Sequence, residues 1–342
     1  MKSRYKFSII IPAYNPGKKI IHCLKSIEKS INYFSKKNNL IYEVLVINDG
    51  GDEIDLKFNH NIKNLKQIKL KKNRGVGFTR QQGANISKYH NLFFIDSDLV
   101  IKKNTLYVLF RDFESLENIG SIGPIQNYKN LNKEYTSDFV CAKSCYGYEN
   151  VKEYVEFSAI RSECCLINKN FLNLVGGWGF FPNAGGEEFD LGHRIMKKGK
   201  INYLTKNTSY STYWDNIMIR CKNVLLRTSN YLPVFLSRKK FESSGGFATL
   251  TQALSAFITL LIIFSLFFSN HLIQLKEILI FLFLLNIILE LNFLRFTLKY
   301  FKKRKIYLYI IGIFLINISI ISGFLLGIYN LIKFIFSKNR YN

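Results

Sequence analysis

Leu92-Phe-Phe-Ile-Asp-Ser-Asp-Leu-Val-Ile-Lys-Lys103 sets an apolar run directly against two carboxylates. Four apolar residues in succession, Leu92 to Ile95, read as a strand buried on both faces. Asp96 and Asp98 follow at its carboxyl end, the place where an open α/β sheet binds ligands. Two carboxylates one residue apart suit a hard cation such as Mg2+ or Mn2+, which keeps positions open for a substrate diphosphate. Asp-Ser-Asp is also ordinary turn and helix N-cap chemistry. The flanking sequence has to decide.

Upstream, Phe7-Ser-Ile-Ile-Ile-Pro12 is a short buried strand ended by proline, and Ala13 to Gly17 is a turn. Ile20, Ile21, Leu24, Ile27 and Ile31 recur at helical spacing, which predicts a helix from Lys18 to Phe34. Tyr42 to Ile47 is a second strand running into Asn48-Asp-Gly-Gly-Asp52, and Ile68 to Leu70 is a third. A helix from Phe78 to Tyr89 then leads into the Asp-Ser-Asp strand. Strands and helices in this order, joined by polar turns, describe a doubly wound, mostly parallel α/β half that binds a nucleotide. No Gly-x-Gly-x-x-Gly or P-loop sequence accompanies it. Downstream, a helix follows Asn104, and apolar stretches surround Arg161, Ser162 and Glu163. The glycine-rich aromatic loop Val175 to Pro182 leads into Gly186-Glu-Glu-Phe-Asp190 and a helix, Leu191 to Lys198. Carboxylates are favoured at a helix N-terminus by the dipole, yet three in four residues behind glycines exceed what capping needs.

The chain has 342 residues and a formal net charge of +24. Its mean hydropathy of +0.03 hides a contrast between a basic stretch up to residue 245 and an Ile/Leu/Phe-rich remainder. Lys and Arg beside apolar spans point to an anionic membrane face and an anionic substrate rather than nucleic acid. The six cysteines form no Cys-x-x-Cys pair and read as buried thiols in a reducing compartment. The N-terminal sequence carries no signal-peptide pattern, which places the soluble part in the cytoplasm.

Five pieces of this sequence, in order, resemble the family 2 glycosyltransferases with a GT-A fold over roughly residues 6–210. They are Phe7 to Asn15, Glu43 to Gly50, Asn73 to Arg80, Asp96-Ser-Asp98, and Gly176-Gly-Trp178 with Gly186 to Arg194. The resemblance implies inverting transfer of a sugar from a nucleotide diphosphate sugar, with a UDP-sugar as the expected donor. It also implies that Pro12, Ala13, Tyr14 and Asp49 line the nucleoside pocket and that Arg80 faces the base or diphosphate. Asp96 would approach the ribose and Asp98 would bind Mg2+ or Mn2+. Glu188 would be the general base, with Glu187 and then Asp190 as alternatives. Glu188 stands where the family usually has Asp, Asn48 replaces the first acid of the usual Asp-Asp pair, Lys18 replaces an acid, and Gln81 stands where Asn is common. His193 is a further metal-ligand candidate, or a packed helix residue. The absence of a Gln-x-x-Arg-Trp block argues against a processive polysaccharide synthase.

Residues 216–245 read as an amphipathic linker helix, lying in the headgroup region or packed on the catalytic domain. From 246 to 342 the chain is expected to form membrane helices at about 247–268, 278–296 and 306–332, each near the ~20 residues that cross a bilayer. Asn286, Glu290 and Asn292 in the middle one should face another helix, a headgroup or the interface. Arg238 to Lys240 and Lys299 to Lys305 put the catalytic domain, residues 1–215, on the cytoplasmic side with the loop near Asn270 outside. Lys338 and Arg340 fit less well, so two spans with a surface helix is the other topology. The expectation is a membrane-anchored glycosyltransferase with a lipid or lipid-linked acceptor. A catalytically inactive scaffold of the same fold and a sugar-phosphate nucleotidyltransferase are the competing classes, the last lacking its glycine-rich triphosphate loop after the first strand.

Overall fold

The runs that read as buried strands are buried: Phe7, Ile9 to Ile11, Val44 to Ile47 and Leu92 to Ile95 have almost no exposed surface. The computed structural model describes residues 4–56, 60–132, 134, 136–149, 151–179, 185–239, 249–268, 274–301 and 306–338. The chain divides into two units, one made of residues 1–131 and 150–213, the other of 132–149 and 214–342. Residues 132–149, inside the range expected for the catalytic domain, therefore group with the helical unit.

The first unit is built on a sheet of strands β1 (Arg4–Ala13), β2 (Asn39–Asn48), β3 (Leu65–Lys69), β4 (Asn91–Ile95), β5 (Leu99–Ile101), β6 (Ile119–Gln126), β7 (Tyr154–Glu156), β8 (Cys164–Asn168) and β9 (Ile201–Thr212). Their order is β3-β2-β1-β4-β8-β6-β9-β5, with β7 paired to β9. The expected parallel half, β3-β2-β1-β4, is present. β8 then enters antiparallel between β4 and β6, so the sheet is mixed.

The helices of this unit are α1 (Lys19–Ser35), α2 (Val76–Ile86) and α3 (Thr105–Ser115), and, after α4 (Ser137–Cys145) of the second unit, α5 (Lys169–Leu174) and α6 (Glu187–Lys197). Alternation along β1 sends Phe7, Ile9 and Ile11 to one layer with Leu24 and Ile27 of α1 and Leu109 and Phe110 of α3. Ile10 goes to the other layer with Ala84 of α2, Phe94, Trp178, and Leu191 and Ile195 of α6. Each such side chain contributes about 1.5–3 kcal/mol by leaving water. A one-residue slip of β1 would exchange the layers, which fixes the register.

β6 and β9 were not legible as strands. β6 contains Gly120, Gly123 and Pro124, with a register shift at Pro124 against β9. A Cβ on Gly123 would stand 2.6 Å from the Cys164 carbonyl oxygen, so close strand contact excludes a side chain there.

The second unit contains α4, α7 (Ile217–Arg238), α8 (Leu250–Phe268), α9 (Gln274–Leu289), α10 (Leu291–Tyr300) and α11 (Ile306–Lys338). α8 and α11 are long and apolar enough to cross a membrane. The single helix expected at 278–296 is instead two, α9 and α10, bent by 55°. Glu290 sits at the break and pairs with Lys143 of α4 at 2.8 Å. Asn286 donates to the Ser255 carbonyl at 2.9 Å and to Thr259 at 3.2 Å, and Asn317 donates to both hydroxyls at 2.9 Å. α7, the expected linker helix, packs along α11, where a Cβ on Gly323 would meet the Leu225 carbonyl oxygen at 2.4 Å. Lys240, Lys302 to Lys305, the loop near Asn270 and Arg340 lie outside the described residues.

Candidate active site

The carboxyl ends of β1, β2 and β4 converge as the sheet rule requires. Ala13 pairs with Asn48 across β1 and β2, and the Asp49 N–H donates to the Ala13 carbonyl at 2.8 Å. Pro12 and Ala13 are buried, and Tyr14 is 54% exposed. Asn15 takes a positive φ of 45°, and its Oδ1 accepts from the Asp52 N–H at 2.7 Å, tying the first turn to the second.

The buried Asp49 carboxylate accepts from the Arg74 N–H at 2.9 Å and the Gly75 N–H at 3.0 Å. It thereby shapes the loop that starts α2. Asn48 is fully buried; its Oδ1 accepts from the Gly51 N–H and its Nδ2 donates to the Asp52 carbonyl. The position uses a donor and an acceptor together, which an ionised carboxylate cannot supply. That explains the asparagine where the family pattern has an acid.

Arg80 is 2% exposed and stands at the centre of the site. Its Nη2 donates to Asp96 Oδ1 at 2.7 Å and its Nη1 to Glu187 Oε1 at 3.4 Å. Desolvation works against its charge, but Asp96 and Glu187 more than offset that and raise its pKa. Burial pushes the Asp96 carboxyl up, with Arg80 opposing the push. The guanidinium also lies 5.1 Å from the Trp178 ring, which packs edge-on against Phe94 at 5.2 Å. Gln81 holds this segment through its Oε1, which accepts from the Trp178 N–H at 2.8 Å.

The three acids of α6 have different surroundings. Glu187 is 3% exposed, and its Oε2 accepts from the Gly185 N–H at 2.8 Å, so both of its oxygens are engaged. Asp190 pairs with Arg194 at 2.7 Å. Glu188 is half-buried and accepts from the Gly186 N–H at 3.1 Å. Gly185 and Gly186 both have positive φ, 110° and 104°, which lets the chain double back onto these carboxylates. His193 faces the Phe189 ring at 6.4 Å. The preceding residues 180–184 lie outside the described residues.

Sequence reasoning assigned no role to Glu163. The Asp96 N–H donates to its carbonyl at 2.9 Å, and its carboxylate accepts from Arg161 at 3.0 Å and from the Tyr210 hydroxyl at 2.8 Å. The available signal was a polar Arg-Ser-Glu interruption in an otherwise apolar stretch. The thiols of Cys23, Cys164 and Cys165 surround the same strand end, and burial pushes all three up, so they remain protonated.

Among the described residues no three His, Cys, Asp or Glu side chains stand together as a metal cage. A cation bound to a diphosphate does not require one, because one or two carboxylates suffice when phosphate oxygens and water complete the shell. The half-buried Asp98 beside Asp96 fits that sparse donor set.

Residues 8–172 match the family model described as glycosyl transferase family 2. This stretch of the chain is similar to a glycosyl transferase family 2 domain. A dolichyl-phosphate beta-glucosyltransferase of Dictyostelium discoideum is 29% identical over 33% of this chain and 34% of its own length. A poly(ribitol-phosphate) beta-N-acetylglucosaminyltransferase of Staphylococcus aureus is 31% identical over 42% of this chain and 37% of its own. The chain thus spans about a third of the length of these relatives. The mannosyltransferase of Pyrobaculum calidifontis, solved with GDP-Man and Mn2+, is similar in fold, with a TM-score of 0.55 and 10% identity over 96% of this chain and 90% of that one. The α/β unit therefore has the GT-A fold, as the resemblance implied.

Proposed function

We propose that the protein is an inverting, metal-dependent glycosyltransferase, anchored in a membrane with its catalytic unit in the cytoplasm. It moves a sugar from a nucleotide diphosphate sugar to a lipid or lipid-linked acceptor. The observation that carries this reading is the Arg80 bridge, which ties the Asp-Ser-Asp turn to the acidic start of α6 through Asp96 and Glu187. Two segments about 90 residues apart are thereby brought together, and they also carry Asp98 and Glu188.

In this reading Pro12, Ala13 and Tyr14 contact the nucleoside, with Asp49 shaping the loop beside it. Asp96 approaches the ribose, and Arg80 acts through Asp96 and Glu187. Asp98 holds the divalent ion, which when bound supplies charge against that developing on the leaving diphosphate. Glu188 accepts the proton of the acceptor oxygen as that oxygen displaces the nucleoside diphosphate from the opposite side. Glu187 and Asp190, the alternatives for this role, are each paired with an arginine. Two relatives are named for phosphate-bearing acceptors, one a lipid and one a polymer. The apolar helices of this chain favour the lipid.

The test is thermal stabilisation of the detergent-purified protein by UDP, GDP, CDP or dTDP with Mn2+ or with chelator. Metal-dependent stabilisation by one nucleotide, lost in Asp98→Ala, is the expected result. Stabilisation by none of them sinks the donor assignment. Turnover of soluble acceptors with lipid acceptors ignored sinks the acceptor assignment.

A further inference from the structure

α4 belongs to the second unit, and the contacts of residues 136–149 within that unit gather several of its elements at one face. Lys143 Nζ donates to Glu290 Oε2 at 2.8 Å, with the two side chains 13% and 5% exposed, and lies 4.4 Å from the Phe293 ring centre. Phe139 meets the rings of Phe293 at 6.0 Å and Tyr309 at 6.2 Å. Glu149 accepts from Lys299 at 2.5 Å and from the Tyr300 hydroxyl at 3.1 Å. The α9–α10 junction, both ends of α10 and the first turn of α11 are thus held at one face. Asn286, one turn before the junction, bonds to Ser255 near the start of α8, which brings that end of α8 to the same side.

α10 has two unlike sides. Phe293, Leu294, Phe296 and Thr297 are buried, while Leu291, Asn292, Arg295, Leu298, Lys299 and Tyr300 are exposed. An outward face of two basic, one amide, one aromatic and two leucine side chains, on a helix tied at both ends to apolar helices, has the composition of a membrane-surface helix. A straight crossing would carry Arg295 and Lys299 into hydrocarbon, at a cost of about 2.5–3.5 kcal/mol each at mid-bilayer.

We infer that α10 lies in the plane of the membrane at the face where α4 packs, where Arg295 binds anionic lipid headgroups while Lys299 stays paired with Glu149. α8 then leaves this face, α9 returns to it and α11 leaves it again. At ~1.5 Å per residue the 16 residues of α9 cover about 24 Å, but its uncharged part after Glu277 covers only about 18 Å, a shortfall against the ~27 Å hydrocarbon of a thin bilayer that local thinning and snorkelling of Lys276 accommodate. This inference rests on the membrane reading of the helices and not on the catalytic one.

The experiment uses the full chain with Cys221→Ser, reconstituted in phosphatidylcholine vesicles containing phosphatidylglycerol, with a bimane label at Leu298→Cys or Phe281→Cys. Nitroxide lipids carry the quencher near the headgroup or at the chain terminus. The Leu298 label should be quenched by the shallow probe and the Phe281 label by the deep one. Nitroxide phosphatidylglycerol should be enriched over nitroxide phosphatidylcholine at Leu298 by about fivefold, the ratio that ~1 kcal/mol per basic side chain gives. Arg295→Gln should reduce that enrichment. Deep quenching at Leu298, or no lipid quenching there while Phe281 is quenched, overturns the placement of α10. Equal quenching by the two headgroups overturns the anionic preference. A Phe281 label that no lipid probe quenches removes the membrane reading beneath both.

Discussion

Arg80 is the residue whose loss should spread furthest. Arg80→Met leaves the buried Glu187 and the partly buried Asp96 without their shared cation. Removing one member of such a buried network costs about 3–5 kcal/mol, read as a lower midpoint in chemical denaturation, and nucleotide-induced stabilisation should fall with it. Arg80→Lys should recover little, because one ammonium cannot reach both carboxylates with the geometry of a guanidinium fork. A second residue-scale expectation runs against the family pattern. Asn48→Asp restores the usual acid yet should destabilise the protein by about 1–3 kcal/mol, since it loses the bond to the Asp52 carbonyl and buries a charge. A denaturation midpoint at or above that of the parent would show that Asn48 does not hold this turn.

At the scale of elements, α7 and α11 test close packing through glycine. Gly323→Val would drive a branched side chain into the Leu225 carbonyl and Thr228, and overpacking of this kind costs about 1–3 kcal/mol. Leu325→Ala, at a position 60% exposed, should change the melting temperature in detergent little by comparison. Most of the parallel half of the sheet was legible because β1, β2 and β4 each carry an apolar run of three or four residues that ends at a proline or a polar residue. β6 and β9 were not, since their strand identity depends on neighbours: Gly123 is dictated by the approach of Cys164, and polar residues of β9 are satisfied by distant partners such as Thr105 and Asp112 of α3. The acids Asp96, Asp98 and Glu187 to Asp190 were legible as chemistry. The sharing of Arg80 between Asp96 and Glu187 was not, because residues 107 positions apart leave no local trace of their meeting. Glu163 was missed for the same reason. The break at Glu290 was visible only as a charge in an apolar stretch, and its partner Lys143 stands 147 residues earlier.

For the whole molecule, the division into units makes a prediction about where the chain can be cut. A fragment ending at residue 215 matches the catalytic range suggested by sequence, but it retains α4 without the helices it packs against. Phe139 and Tyr146 would then face water, as their ring contacts lie with Phe293, Phe296 and Tyr309. This fragment should aggregate on purification, whereas the same fragment with residues 132–149 replaced by a short Gly/Ser linker should be monomeric by size-exclusion chromatography. Equal solubility of the two would mean that α4 is not held to the second unit by its apolar side.

The same placement of α4 has a consequence for biosynthesis. Glu290, the partner of Lys143, is translated 147 residues later, which at 5–20 residues per second is a delay of roughly 7–30 s. During that interval the strands that close the sheet, β8 and β9, have already left the ribosome, while α4 remains uncovered. Nascent chains stalled between residues 215 and 290 should therefore be the ones that recruit chaperones, and release past α11 should end the need for them.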